Sequence, residues 1–209
     1  MNSKILITAL FFILMKSSCK SQEDKIDQPK SSIKSSALKD SAVMILAKSH
    51  GDTIKMNKAL KLIEKFIQED SLNANAFAIK GSVFCNLANY TEAINALNKS
   101  LYLHNIPEVK LMKGMIFDKM NQVDSAQVIY NQILNDYEMI LKDGNNIKIE
   151  LDRAMLYFYL NKPEVANRLY NELRVKYPHE ISVIGMKGFV GTFDKEEFLK
   201  SFCSHLKDG

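Results

Sequence analysis

The sequence predicts an all-α protein, and three features support that class. Glycine and proline are scarce, at 8 and 4 of 209 residues, which is too few for a turn-rich sandwich or barrel. Leu, Ala, Lys and Met are plentiful, which favours helices. Small, aromatic and apolar residues also recur at a spacing of about 34 residues, which indicates repeated helical units. With 46% hydrophobic residues the chain is long enough for one ordinary domain.

The first nineteen residues have the three-part build of an export signal. A basic start ends at Lys4, an apolar run spans Ile5 to Met15, and Lys16, two serines and Cys19 follow. As a helix the apolar run covers about 16 Å, against a hydrocarbon core of about 30 Å. The segment is therefore predicted to target the chain without spanning a membrane.

Cys19, directly after two small serines, resembles the lipobox of bacterial lipoproteins, in which cleavage precedes a lipid-modified cysteine. Lys16 departs from the aliphatic residue usual at its position. The alternative is an ordinary secretory peptide with a chance cysteine. The resemblance implies a signal peptide over 1–18, acyl chains such as palmitate on Cys19, and location in the bacterial cell envelope. Because Lys20 rather than Asp follows, it points to the outer membrane, with the leaflet undecided.

Residues 19–39 are polar, rich in Ser and Lys, and contain Pro29. So few apolar residues cannot offset the entropy of ordering the chain. This stretch is predicted to be a flexible membrane tether.

Residues 40–180 carry the repeat. In the segment from Asn73 to Leu103, six positions hold an aromatic, a small residue, two aromatics, an alanine and a large apolar residue; these are Phe77, Gly81, Phe84, Tyr90, Ala93 and Leu97. Matching residues recur 33 residues later and then 40 further on; these are Gly114, Phe117, Val123, Ala126 and Tyr130, then Ala154, Tyr157, Pro163, Ala166 and Tyr170. A weaker unit precedes them, with Ala47, Met56, Ala59 and Ile63.

This pattern resembles the tetratricopeptide repeat. The resemblance implies a right-handed α-solenoid of antiparallel helix pairs, with about four repeats stacked so that each touches its neighbours. The extra residues of the third unit, around Lys142 to Asn146, are predicted to form a longer loop. Residues 181–209 are predicted to be a capping region, with a helix that starts after Asp194.

Motifs for catalysis are absent from the sequence. The histidines His50, His104, His179 and His205 have no metal-ligand spacing, so neither metal nor cofactor is predicted. Cys85 and Cys203 are expected to be separate buried thiols, because they fall on distant repeats of a linear stack. The net charge of +4 comes from dispersed lysines, which disfavours nucleic acid as a partner.

The family resemblance implies that inner helices line a concave groove for partners. By repeat register the groove-facing residues are Lys48, Ala78, Ser82, Cys85, Asn86, Leu111, Met115, Asp118, Lys119, Leu151, Met155, Phe158 and Tyr159. This surface lacks the basic and amide set that clamps a C-terminal carboxylate. It suits an apolar helix or peptide of an envelope protein. Two alternatives remain open: the groove is filled by the chain's own C-terminal helix, or it serves a small ligand or an unrecognised enzyme activity.

Overall fold

A computed structural model describes residues 30–49 and 52–203 of the chain. The export signal, Cys19, His50 and His205 lie outside these residues, so the predictions on them stay predictions. Helices occupy most of the described part, in the order α1 (Lys30–Ala47), α2 (Thr53–Glu69), α3 (Ala74–Asn86), α4 (Tyr90–Leu103), α5 (Pro107–Lys119), α6 (Val123–Lys142), α7 (Ile147–Tyr159), α8 (Pro163–Lys176), α9 (Ile181–Gly185), α10 (Lys187–Thr192) and α11 (Lys195–Ser201). The predicted all-α class is confirmed.

The chain divides into two compact units. Unit 1 comprises the residues up to Val109 together with those from Cys203 onward, and unit 2 is Lys110–Phe202. The core of unit 1 includes Ala42, Ile63, Phe66 and Ala76 from α1, α2 and α3. The core of unit 2 joins α7 and α8 to the short helices that follow, through Ala154, Phe158, Ala166, Tyr170, Val183 and Val190.

The predicted helix pairs are present as α1/α2, α3/α4, α5/α6 and α7/α8. In the last three pairs a tight turn reverses the chain around a residue with positive φ: Ala88 (56°), Asn121 (59°) or Asn161 (56°). The next amide N–H donates to the carbonyl five residues back, as from Asn89 to Phe84 at 2.9 Å. This is the left-handed helix ending that satisfies otherwise orphaned carbonyls. Its recurrence at the repeat spacing fixes the pairs as antiparallel hairpins.

Small residues allow the two helices of a pair to approach closely, as the register predicted. A Cβ added to Gly81 would lie 2.6 Å from Leu97 Cδ2 and 3.2 Å from the Ala93 carbonyl oxygen. A Cβ on Gly114 would lie 3.0 Å from Cδ1 of the Tyr130 ring. The predicted facing of Gly81 and Ala93 within one pair is confirmed, and both residues are buried.

The prediction of a longer loop around Lys142 to Asn146 is wrong. The connection from α6 to α7 is only Asp143–Asn146, as short as Asp70–Asn73 between α2 and α3. Instead α6 extends to 20 residues, whereas α4 and α8 have 14 each. The added turns of helix keep their backbone hydrogen bonds, and Tyr137 in them is buried.

The first helix begins at Lys30, ten residues before the repeat domain was predicted to start. Leu38, assigned to the tether, packs against the core residues Ala42, Ile63, Phe66 and Ala76. Burial of this side chain favours helix where composition alone predicted a flexible chain. Among the described residues we find no helix with the length and hydropathy needed to cross a bilayer.

Candidate functional site

Eight predicted groove residues lie on two helices of unit 2 and form what we call the inner surface: Leu111, Met115, Asp118 and Lys119 of α5, with Leu151, Met155, Phe158 and Tyr159 of α7. Met115 is fully buried, and Leu151, Phe158 and Tyr159 are 6%, 5% and 8% exposed. Residues 193–202, here called the C-terminal segment, contact several of them. The C-terminal segment covers part of the predicted groove, at Asp118, Lys119, Phe158 and Tyr159.

The apolar part of this contact is a cluster of aromatic rings. The Phe193 centroid lies 5.2 Å from that of Phe158 and 5.5 Å from that of Tyr159. Phe198 meets the Tyr159 ring edge-on at 5.8 Å. Met155 packs against the same core cluster as Phe193. Offset and edge-to-face pairs of this kind add to the gain from burying their area.

A buried ion pair forms the polar centre of the contact. Lys195 Nζ lies 2.9 Å from Asp118 Oδ2, and the two side chains are 14% and 4% exposed. The hydroxyl of Tyr130 donates to the same carboxylate oxygen at 2.5 Å. Burial raises the pKa of Tyr130, and the bond to Asp118 raises it further, so the hydroxyl stays protonated and can donate. Asp118 therefore accepts from two donors away from water, as a buried carboxylate requires.

Two lysines reach across to the carboxyl ends of helices. Lys195 Nζ donates to the Tyr159 carbonyl oxygen at 2.7 Å, at the end of α7. Lys119 Nζ donates to the carbonyl oxygens of Leu199 at 2.5 Å and Lys200 at 3.3 Å, near the end of α11. Ammonium groups stabilise these positions because the last carbonyls of a helix lack intrahelical partners. Burial lowers the pKa of Lys119, which reflects its position under the C-terminal segment.

The prediction that Cys85 and Cys203 are separate thiols is wrong. They form a disulfide with an S–S distance of 1.98 Å and a Cα–Cα distance of 5.4 Å, across 118 residues of sequence. Both cysteines belong to unit 1. The prediction assumed a chain that runs in one direction along the stack, whereas Cys203 returns to Cys85 of α3 within unit 1. The prediction of a capping helix after Asp194 is confirmed, and Asp194 Oδ1 accepts from the Glu197 N–H at 2.8 Å.

Three of these contacts involve residues at the same position of successive repeats, which the sequence did not lead us to expect. Cys85, Asp118 and Phe158 are equivalent residues, 33 and 40 positions apart. Cys85 bonds to Cys203, Asp118 pairs with Lys195, and Phe158 packs on Phe193. The sequence did contain a signal for the disulfide. Cys85 lies at a groove-facing position, and Cys203, the one other cysteine besides Cys19, lies in the predicted capping region.

The described residues offer little for metal binding or catalysis. No group of three or more His, Cys, Asp or Glu side chains in residues 30–49 and 52–203 is placed to hold a metal ion. His104 and His179 are exposed. A cavity of about 310 Å³ beside α8 is lined by Tyr170, Arg174, Tyr177, Pro178, Val183, Ile184 and Lys187, a set without a nucleophile next to a general base.

Comparison with known proteins matches residues 108–138, which form most of α5 and α6, to the tetratricopeptide repeat family model. The TPR repeat-containing protein MJ0263 of Methanocaldococcus jannaschii is 35% identical over 88 residues, which is 40% of this chain and 26% of that protein. The chain thus spans about a quarter of this relative's length.

Two solved structures are also similar. MamA RS-1 ArsTM double mutant is 17% identical over 81% of this chain and 90% of its own, at a TM-score of 0.45. A crystal structure of MamA is 18% identical over 75% of this chain and 96% of its own, at a TM-score of 0.41. Scores this low add nothing to the fold assignment. The family match thus shows a tetratricopeptide repeat at residues 108–138. The close-approach glycine and the left-handed turn of this repeat recur in the helix pair α3/α4.

Proposed function

We propose that this chain is a scaffold for protein–protein interaction, held in the bacterial cell envelope by a lipid on Cys19, and that the inner surface of unit 2 binds a helix of its partner. One observation supports the interaction part of the proposal. The inner surface already contacts a short helix, α11, through aromatic packing and three lysine-to-carbonyl bonds. Helix-in-groove docking of this kind is a common mode of peptide recognition.

Two observations support the envelope part. The sequence before Cys19 has the build of an export signal. The Cys85–Cys203 disulfide fits an oxidising compartment, since cytosolic reductants keep most thiols reduced. Cys19 is the remaining cysteine and is therefore available for acylation.

The anchor is tested by changing Cys19 to Ala in cells that express the full chain. We expect the variant to leave the membrane fraction and to incorporate no labelled palmitate, because one thioether-linked anchor is removed. A matched Ser18→Ala variant should remain membrane-bound and labelled. If the Cys19→Ala protein still sediments with membranes after a high-salt wash, the anchor proposal is wrong.

The scaffold function is tested by site-specific photo-crosslinking in the same cells. A photoreactive amino acid at half-buried Leu111 reports on the inner surface, and one at Val175, which is 84% exposed on α8, serves as the control. We expect a discrete crosslinked protein from position 111 that is missing at position 175. Crosslinks from position 175 alone would place the interaction elsewhere and contradict the proposed surface.

A further inference from the structure

The helices of unit 1 run in alternating directions, which brings four helix termini together at one end. Leu38, early in α1, and Ala76, early in α3, pack in one cluster with Phe66 from the end of α2. Later parts of α1 and α3 pack instead with Met56 from the start of α2. The start of α1, the end of α2 and the start of α3 therefore lie together. Because α4 is antiparallel to α3, its end at Leu103 lies there too.

This end of unit 1, here called the entry end, exposes two large apolar side chains. It comprises the start of α1, the connection Asp70–Asn73 and the last turn of α4. Leu72 in the connection is 75% exposed, and Tyr102 in the last turn of α4 is 83% exposed. Lys99 Nζ lies 5.2 Å from the centroid of the Tyr102 ring. An amphipathic aromatic ring beside a long cationic side chain is typical of residues that meet a membrane–water interface.

The length of chain that precedes α1 determines which end of unit 1 can reach a bilayer. Ten residues, 20–29, separate Cys19 from the start of α1 at Lys30. Ten residues span at most about 35 Å when fully extended. The 18 residues of α1 rise about 27 Å, so the opposite end of unit 1 lies that much further from Lys30. That end would meet the bilayer only with the connecting residues mostly extended, which is entropically unfavourable.

Exposure of apolar side chains does not by itself distinguish the two ends. Ile54, at the start of α2 and therefore at the opposite end, is 82% exposed. Single exposed apolar residues are normal on soluble proteins. The distance to Cys19 is what favours the entry end, and Ile54 provides a control of matched exposure.

We propose that the entry end of unit 1 rests on the phospholipid surface to which the lipid on Cys19 holds the chain, with Leu72 and Tyr102 in the interfacial layer and Lys99 among the phosphates. The inference rests on the lipid anchor of the proposed function and adds which surface of the protein faces the membrane. Two side chains are enough for this contact because anchoring makes it intramolecular, with an effective concentration on the order of millimolar.

The test uses single tryptophans, since the chain contains none of its own. The chain from Cys19 onward is coupled through the Cys19 thiol, the one cysteine outside the disulfide, to a maleimide lipid in vesicles of phosphatidylcholine and phosphatidylglycerol. The variants are Tyr102→Trp, Leu72→Trp and, as control, Ile54→Trp. We expect emission from positions 102 and 72 to shift to the blue, and lipids brominated in their acyl chains to quench it at least about threefold more than at position 54, because only the entry end meets the interface.

A second substitution asks whether the two side chains meet the same lipid surface. Leu72→Glu added to the Tyr102→Trp chain should lower quenching to the level of the control, because a carboxylate resists removal from water. Ile54→Glu in the same background should leave quenching unchanged. Circular dichroism of each variant shows that it is folded. Equal quenching at positions 102 and 54, or none at either, would overturn the inference. A blue shift that grows with protein density and shows no lipid quenching would assign the entry end to a second copy and overturn it as well.

Coupling through maleimide separates failure of this inference from failure of the proposed anchor. Palmitate on Cys19 in cells, with no lipid quenching at position 102 in the coupled chain, would leave the anchor in place and overturn only the membrane-facing surface. Lipid quenching at position 102 with no palmitate on Cys19 in cells would support the lipid contact and remove only the anchor.

Discussion

The helix pairs α3/α4 of unit 1 and α5/α6 of unit 2 use the same repeat positions for different contacts. The close-approach glycine faces Leu97 in the first pair and the Tyr130 ring in the second. The groove-facing position is Cys85 in the first and Asp118 in the second. The repeat position therefore sets where a side chain lies, and the residue type sets which contact it makes: a disulfide in unit 1 and a buried ion pair in unit 2.

The covalent contact of unit 1 is expected to give the largest effect. Replacing Cys85 and Cys203 by Ser should lower the free energy of unfolding by about 3–5 kcal/mol, because a loop of about 118 residues is no longer closed in the unfolded chain. Urea unfolding of the variant and of reduced wild type should agree. If oxidised and reduced wild type unfold at the same urea concentration, the disulfide does not stabilise the folded chain.

Loss of the ion pair of unit 2 is expected to have the second-largest effect on the free energy of unfolding. Changing Lys195 to Ala should cost about 3 kcal/mol, because Asp118 is left buried without its cation. Exposed Lys200 provides the control, and its change to Ala should alter stability by less than about 0.5 kcal/mol. Equal effects of the two substitutions in chemical denaturation would show that Lys195 is not held as described.

Alanine substitutions of the two glycines are expected to differ in cost, because their neighbouring side chains differ in how easily they can move aside. Gly114→Ala should destabilise by about 2 kcal/mol, since the new methyl meets a rigid ring. Gly81→Ala should cost less than about 1 kcal/mol, because the Leu97 side chain can rotate away and alanine favours the helix. Urea midpoints in the reverse order would contradict this account of the close approach.

A smaller effect is expected at Ser100 of α4, whose counterpart in α6 is the buried Ile133. The Ser100 hydroxyl is fully buried and makes no hydrogen bond within the described structure. Ser100→Ala should therefore stabilise the chain by about 1 kcal/mol, because a desolvated polar group is removed. Thermal unfolding measures this, and a lower midpoint would indicate that the hydroxyl has a partner after all.

The repeat could be predicted from the sequence because the residues that pack the helices of each pair recur at the same spacing. Gly81, Gly114 and the alanines mark where helices approach, and the same register located the inner surface at Asp118, Phe158 and their neighbours. The disulfide was missed because it depends on how residues 178–202 turn back, and these have no repeat pattern to register against. The extension of α6 and the start of α1 at Lys30 were missed because local composition favoured loop, whereas tertiary burial of Tyr137 and Leu38 favours helix.

A double-mutant cycle tests whether Asp118 holds the C-terminal segment through Lys195. The free energy of unfolding is measured for wild type, Lys195→Ala, Asp118→Asn and the double variant, all with the disulfide intact. We expect a coupling free energy of about 2 kcal/mol, within the range seen for residues in direct contact. If the two effects add to within about 0.5 kcal/mol, the side chains act independently and the ion pair does not hold the segment.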